Sequence, residues 1–415
     1  MTGIDRAPRR VVVAGAGAVG LSTAWFLQEH GVEVTVVDRA GVAAGSSWGN
    51  AGYLAPTFSI PLPEPSVLRY GLRSLLDRNA PLYVPARVDP GLWSFLAKFA
   101  AHCTMPAWQR AMQPYVPLNN ECLDAFDELT SGGVQAPTNS APITAAFAKA
   151  EQVADLRHEF DLVRDAGQEV SIAEVDPSEA GVPQLAQGIE AVMRIEGQRY
   201  VDPGEFVRSL ARSVQERGGE IRSGFAVEDV RRGPGGGVTV VSGAEQLSAD
   251  AVVLATGAWL SKLAKPLGVR TPVRAGRGYS FTVPTDEPVP GPIYLPAVRV
   301  ACTPYQGGLR VAGTMEFRSA DAKLHPERIA AIERSAKPLL RGVHWEQRTD
   351  DWVGGRPVTP DGMPLIGATA MDGVHVAGGH GMWGLTLGPI TGRLLAEQLV
   401  TGKQPEQLRP FDPLR

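Results

Sequence analysis

The stretch RVVVAGAGAVGLSTAWFLQEHGVEVTVVD, Arg10 to Asp38, decides the fold. Arg10 to Ala14 is apolar and β-branched, Gly15 to Gly20 is a glycine turn, and Leu21 to His30 has helical spacing that stops at Gly31. Val32 to Val37 is a second β-branched run that closes at Asp38, so the stretch reads as one βαβ unit. Its turn spells G-x-G-x-x-G with Gly15, Gly17 and Gly20. The first glycine permits a tight turn, the second lets backbone approach a pyrophosphate, and the third lets helix pack on strand. Ala16, Ala18 and Val19 fill the variable places, where the start of the helix offers unpaired N–H groups to an anion. Asp38 would accept hydrogen bonds from ribose hydroxyls and repel a 2′-phosphate. The pattern implies a dinucleotide other than NADP and leaves FAD and NAD both open. A glycine turn without a ligand is the bland alternative, disfavoured because the motif sits correctly between strand and helix.

The chain around this unit has 415 residues, 44% hydrophobic and 20% charged, enough for two or three domains. Forty Lys and Arg against 44 Asp and Glu give a net charge of -4, which lacks the footprint of a nucleic-acid partner. Cys103, Cys122 and Cys302 are scattered and lack the spacing of a zinc site or disulfide framework. No metal is expected, and a reducing, cytoplasmic setting fits best. No uninterrupted apolar run of about 18 residues is present, and the N-terminus does not read as a signal peptide. Peripheral contact with the inner face of a membrane stays open, and oligomeric state is not legible.

Between Ile60 and Pro117 prolines are dense and helical pieces such as Leu92 to Ala101 are short, which reads as an insertion. Within it Arg69, Arg73, Arg78, Arg87, Lys98 and Arg110 mix with Trp93, Phe95, Phe99 and Trp108. Buried helices explain that mixture better than a membrane or redox-partner surface. Residues 119–130 and 149–166 have helical spacing, and Asp202 to Arg217 is an amphipathic helix. Ala226 to Val230 and Val238 to Ser242 read as a hairpin. Val269 to Pro284 and Val298 to Thr314 read as strands and Pro326 to Leu340 as a helix, a second insertion. A strand at Val374 to Ala377, a glycine-rich loop and a helix from Pro389 to Leu399 close the chain.

Five blocks carry a family resemblance: GAGAVG with Asp38, GSSWGNAGYLAP at 45–56, VVLATGAW at 252–259, GGRPVTPDGMPLIG at 354–367 and GGHGMWGLTLGPITGRLLAEQL at 378–399. Together they resemble the FAD-dependent amino acid oxidase and dehydrogenase superfamily, closest to its bacterial D-amino acid dehydrogenase small-subunit type. The resemblance implies an α/β fold: a Rossmann-like, glutathione-reductase-like FAD-binding domain and a discontinuous α+β substrate domain with a mixed antiparallel sheet. The expected FAD-binding parts are 1–58, 185–268 and 351–415. The substrate domain is expected from 59–184 and 269–350, with the helices near 119–166 placed there or returned to the FAD domain.

The resemblance also assigns the blocks. Ser46, Ser47, Asn50, Ala51 and Gly52 belong to a loop that runs close to the flavin, where small residues are needed. Ala255, Thr256 and Gly257 end a strand beside the cofactor, with Trp259 either a contact or core packing. Arg39, Val227 and Gly355 are further implied cofactor contacts, as are Gly381, Gly384, Leu385 and Thr386 ahead of the last helix. That helix start would stabilise negative charge on reduced flavin. Arg356 is implied to clamp a substrate carboxylate, for which a planar guanidinium is suited. Tyr279 is implied either to donate within the substrate pocket or to line a domain interface. His380 stands between a flavin or substrate contact and a loop-fixing hydrogen bond. The cysteine tether of the sarcosine oxidase branch has no counterpart near the C-terminal motif, so FAD is expected to be non-covalent.

The reaction so implied is oxidation of the Cα–N bond of a D-amino acid or proline-like substrate, with hydride passing from Cα to flavin N5 and electrons to a quinone or other acceptor. A glycine- or sarcosine-type oxidase producing hydrogen peroxide is one alternative. A flavin-binding subunit without turnover and an NAD-dependent dehydrogenase are two more. The glycine oxidase branch carries a substrate-binding tyrosine on a strand that here reads Val300-Ala301-Cys302-Thr303, which argues against glycine oxidase-like binding.

Overall fold

Alternation along the central strands sorts the chain onto two faces of a sheet. The computed structural model describes residues 7–68, 81–84, 88–233 and 236–415. Strand Arg10–Ala14 lies between Glu33–Asp38 and Ala251–Leu254, parallel to both, with Val12 opposite Thr35 and Val252. The six-stranded sheet runs Glu220–Ser223, Glu33–Asp38, Arg10–Ala14, Ala251–Leu254, Val374–Gly378, Leu365–Ala368, and only the last pair is antiparallel. Val11, Val13, Val34, Val36 and Val253 face helices Ala18–Glu29, Pro203–Glu216 and Gly388–Thr401. Val12, Ala14, Val37, Val252 and Leu254 face a three-stranded antiparallel layer, Asp229–Arg232, Val238–Ser242 and Glu245–Ala249. The hairpin read from sequence thus gains a third strand. Glu245, Gln246 and Ser248 are exposed, so that strand has little apolar alternation to reveal it.

A nine-stranded sheet forms the second half. Its main path is Thr349–Val358, Arg274–Pro284, Gly308–Phe317, Val300–Tyr305, Ile293–Leu295, Ile143–Phe147, Ala191–Ile195, Ile172–Val175, with Leu82–Tyr83 added beside Gly308–Phe317. Two strands expected in the cofactor half belong here. Ala191–Ile195 pairs with Ile143–Phe147 and Ile172–Val175, and Thr349–Val358 pairs with Arg274–Pro284. The run 298–314 read as one strand is two, Val300–Tyr305 and Gly308–Phe317, folded back at Gln306 and Gly307 with φ of 47° and 81°. Two consecutive positive φ values make a tight hairpin turn, for which Gln-Gly is a weak sequence signal.

The proline-dense reading of 106–117 is corrected by one continuous helix, Met105–Ser131, with Pro114 and Pro117 inside it. Each proline removes an N–H donor. The buried stripe Trp108, Met112, Tyr115, Leu118, Cys122, Phe126 and Leu129 holds the helix together against that loss. This helix lies on Gly388–Thr401, where Arg393 pairs with Glu121 and Glu128, whereas Val153–Asp165 packs on Ala191–Ile195. Helix Pro90–His102 buries Phe95 and Phe99 and is capped by Asp89, which accepts from Leu92 N at 2.9 Å. Lys98 and Arg110 are exposed while Trp108 is buried, an amphipathic pattern. Arg69, Arg73, Arg78 and Arg87 lie outside the described residues. Among the described residues no helix is long and apolar enough to cross a membrane.

Candidate active site

A cavity of about 900 Å³ runs from the carboxyl ends of the parallel strands, at Gly15, Asp38 and Ala255, to the face of the larger sheet at Tyr279, Thr314 and Arg356. Crevices at this end of a parallel sheet are where dinucleotides bind. Gly15 has φ +123°, and a Cβ on it would stand 2.3 Å from the Ala255 carbonyl oxygen. A Cβ on Gly20 would stand 2.0 Å from Gly15 O, so both glycines are fixed by close backbone packing. Helix Ala18–Glu29 has no acidic residue in its first turn, which keeps its positive end available to an anion. The Thr256 hydroxyl at the cavity wall is buried without a partner among the described residues. These features fit FAD: Gly17, Ala18 and Val19 would hold the pyrophosphate and Asp38 the ribose. Asp38 also holds the turn itself, accepting from Ala16 N at 3.0 Å, Ala40 N at 2.8 Å and Gly41 N at 2.9 Å.

Arg39 and Trp259 stack beside this end, with the guanidinium carbon 3.7 Å from the indole centroid. Asp321, from the other half of the chain, accepts from Arg39 Nη1 at 3.0 Å and from Trp259 Nε1 at 3.1 Å. Those hydrogen bonds, Trp259 first, hold the Asp321 carboxyl below its usual range against the opposing effect of partial burial. Trp259 is therefore a cavity-wall residue tied across the two halves, not core packing.

The loop at 46–52 is pinned from several directions. Ser46 donates to Gly355 O, Ser47 Oγ accepts from Ala18 N at 3.1 Å, and Asn50 Oδ1 accepts from Gly52 N at 2.8 Å. From the larger sheet Ser280 donates to Gly49 O at 2.8 Å, Thr303 to Ala51 O, and Arg310 Nη1 to Trp48 O at 3.0 Å. Arg310 is buried between the rings of Trp48 and Tyr305, 4.7 and 3.9 Å from their centroids. The Trp352 indole fills the space a Cβ on either Gly49 or Gly354 would occupy. These partners were not read from sequence, because each is a single side chain on a distant strand with no local motif.

At the C-terminal block Gly381 N donates to Pro357 O at 2.8 Å, and His380 Nε2 pairs with Thr391 Oγ1 at 3.0 Å. Burial pushes the His380 imidazole down to about 4, so it is neutral and serves to fix the loop to the last helix. Gly381, Gly384 and Leu385 line the cavity, as does Val227 from the opposite wall. Ala16, Gly20, Gly52, Gly355 and Thr386 do not line it. Thr386 spends its hydroxyl on Tyr53 O at 3.2 Å.

Arg356 lies on strand Thr349–Val358 and crosses Gly278, where a Cβ would meet its guanidinium at 2.2 Å. Its Nη1 donates to Thr314 O at 2.7 Å, and no carboxylate among the described residues pairs with it. Burial brings it down to about 10, and it remains a cation at neutral pH. Tyr279 lines the same wall, but its hydroxyl donates to Glu316 at 2.6 Å. Glu316 is buried, which alone would raise its pKa. Hydrogen bonds from Tyr279 and from Arg318 at 2.5 Å, with the charges of Arg318 and Arg277, bring it below the usual range. Tyr279 thus belongs to a buried network. Cys103, Cys122 and Cys302 are buried, and none lines the cavity.

A glycine cradle at the carboxyl end of a parallel sheet, in one cavity with a cation that no carboxylate among the described residues pairs, defines a dinucleotide-dependent α/β enzyme. The chain belongs to the FAD dependent oxidoreductase family, whose model matches residues 10–398. FAD is its cofactor, and it is an oxidoreductase. It is 32% identical over 406 residues to a D-amino acid dehydrogenase of Methylobacterium nodulans, covering 96% of each chain. To a D-amino acid dehydrogenase of Xanthobacter autotrophicus it is 33% identical over 408 residues, again covering 96% of each. Its fold matches glycine oxidase from Geobacillus kaustophilus with a TM-score of 0.74 at 22% identity, covering 98% and 99% of the two chains. L-proline dehydrogenase from P. horikoshii matches with a TM-score of 0.68 at 17% identity, covering 99% and 98%.

Proposed function

We propose that the chain oxidises the Cα–N bond of a D-amino acid to an imino acid, which water hydrolyses to a keto acid and ammonia, and that a quinone or similar acceptor reoxidises the enzyme. The observation that carries this reading is Arg356, a half-buried guanidinium with no carboxylate partner among the described residues, on the wall of the cofactor cavity. A cation that burial partly strips of water and that no carboxylate among the described residues neutralises favours an anionic ligand, and an α-carboxylate matches its remaining N–H fork. Thr314 O holds one arm of the guanidinium, so the carboxylate, once bound, is fixed in direction. FAD, when bound, supplies the two-electron acceptor for the hydride that leaves Cα.

The ammonium form of the substrate must lose a proton before its nitrogen can push that hydride out. His380 is neutral but committed to Thr391, and Tyr279 is committed to Glu316, so the wall offers neither as a base. The amine therefore enters neutral, and kcat/KM rises with pH toward the pKa of the free amine. The 32 to 33% identical relatives over nearly the whole chain support the choice of D-amino acids.

The test is an anaerobic titration of the purified holoenzyme with D- and L-amino acids, proline analogues, sarcosine and glycine, following flavin absorbance. Bleaching by D-amino acids, reversed rapidly by a quinone dye and slowly by oxygen, is the expected result. Rapid reversal by oxygen with peroxide release would make it an oxidase, and no bleaching by any amine would overturn the reading.

A further inference from the structure

We infer that Arg299 reads the far end of the substrate side chain and selects amino acids whose side chain ends in a carboxylate or amide. The inference rests on the reading of this cavity as an amino acid site and adds the class of side chain to it. Arg299 and Arg356 line the same cavity and flank one short segment, Gly313–Thr314. Arg356 reaches Thr314 O at 2.7 Å, and the Arg299 carbonyl oxygen lies 3.5 Å from where a Cβ on Gly313 would stand. Gly313 is paired with Val300, the residue after Arg299, so Arg299 stands at the entry to the neighbouring strand, which lies about 5 Å away.

Ala301, Ala312 and Gly313, beside these residues in the sheet, also line the cavity, and none is long enough to fill it. The surrounding wall is aromatic: Tyr53, Phe58 and Tyr294 line it, with Phe58 and Tyr294 edge-on at 5.5 Å. Tyr53 turns its hydroxyl away, donating to Ile293 O at 2.7 Å. A side chain that starts at a carboxylate held by Arg356 would cross small residues, pass aromatic rings and end at the Arg299 guanidinium.

Arg299 is held for such a task. Its backbone, with φ of 53°, caps the short turn Pro296–Val298 and fixes where the side chain starts. Glu159, from helix Val153–Asp165, sits 3.5 Å from Arg299 Nη2. The Tyr294 hydroxyl also hydrogen-bonds the guanidinium and the Glu64 carboxylate faces it. The fork is thereby anchored at Glu159 and Tyr294, and its 44% exposed side chain turns its remaining N–H donors to a ligand. An aliphatic side chain would cover those donors without satisfying them, and a site built to donate hydrogen bonds rejects such a substrate strongly.

The experiment compares D-asparagine and D-aspartate with D-leucine, which is close in shape, by anaerobic reduction of the holoenzyme in a stopped-flow instrument. The wild-type kcat/KM ratio should favour the polar substrates by at least tenfold. Arg299→Met should reduce that ratio tenfold or more, mainly through KM. Because that change leaves Glu159 unpaired, the double variant R299M/E159Q, which removes both charges, is measured beside it. Reduction by D-leucine with the same ratio in wild type and both variants would overturn the inference and leave the proposed function intact. Failure of every amino acid to reduce the wild-type flavin would overturn both.

Discussion

Gly392 of the C-terminal helix meets Ser22 of the first helix backbone to backbone. A Cβ on Gly392 would stand 2.6 Å from the Ser22 carbonyl carbon and 2.7 Å from Thr23 N. One turn earlier Gly388 lies against Ala18 and Val19, so the small-residue pairs Gly388/Gly392 and Ala18/Ser22 set how closely the two helices cross. The first helix begins at the cofactor cavity and the loop ahead of the last helix, Gly384 and Leu385, lines it, so both depend on that crossing. Gly392→Ala pushes on backbone that cannot yield cheaply. It should cost about 1–3 kcal/mol of stability and speed FAD release, measured by denaturant unfolding and by flavin fluorescence after dilution. Gly384→Ala is the control for packing, since the nearest atom to its Cβ is 3.6 Å away on His380. Its stability should match wild type within about 0.5 kcal/mol.

Arg356 separates binding from folding. Arg356→Lys keeps the charge but loses the planar fork, and should weaken kcat/KM by roughly 2–4 kcal/mol. Arg356→Met loses the single bond to Thr314 O and also removes a half-buried cation with no carboxylate partner among the described residues. Its substrate-free melting temperature should equal or exceed that of wild type while amino acid turnover disappears. A large loss of stability in Arg356→Met would mean that the guanidinium is a structural tie.

What was legible in the sequence is what the chain writes locally. The G-x-G-x-x-G turn, its flanking strands and Asp38 are consecutive, so spacing alone places them. The Gly355-Arg356-Pro357 motif is equally compact. What escaped the sequence is carried by pairs far apart in the chain: Tyr279 with Glu316, Arg310 with Trp48, and Trp352 between Gly49 and Gly354. None of these has a periodicity or motif, because they meet only when the second sheet folds and packs on the 46–52 loop. Proline density misled in a different way. Pro114 and Pro117 signal a break by local rules, and the buried stripe from Trp108 to Leu129 overrides them.

Tyr279→Phe tests whether the tyrosine acts on substrate or on the fold. Its hydroxyl is given to Glu316, and that bond stabilises a buried carboxylate also held by Arg318 and faced by Arg277. Removal should cost about 1–3 kcal/mol of stability. Turnover at saturating substrate should change by less than about threefold, far below the loss expected from deleting a transition-state contact. A hundredfold fall in kcat with unchanged stability would return Tyr279 to the catalytic set.

His380 should write its burial into the pH dependence of stability. Its imidazole, paired with Thr391 Oγ1, is pushed down to about 4 from an ordinary value near 6.5. Between those values the unfolded chain binds a proton that the folded chain refuses, so acid favours unfolding. The stabilisation is complete above pH 6.5 and is lost as pH falls toward 4. For a group 1% exposed, a shift of this size corresponds to about 2 kcal/mol lost between pH 7.5 and pH 5. His380→Gln keeps a hydrogen-bonding partner for Thr391 without titrating. Its stability deficit against wild type should therefore shrink by about 2 kcal/mol on going from pH 7.5 to pH 5. His375, also pushed down to about 4 by burial, remains in both proteins and cancels from the difference. Urea unfolding of the two proteins at the two pH values measures the change directly, and a deficit that stays constant would show that His380 is free to protonate in the folded enzyme.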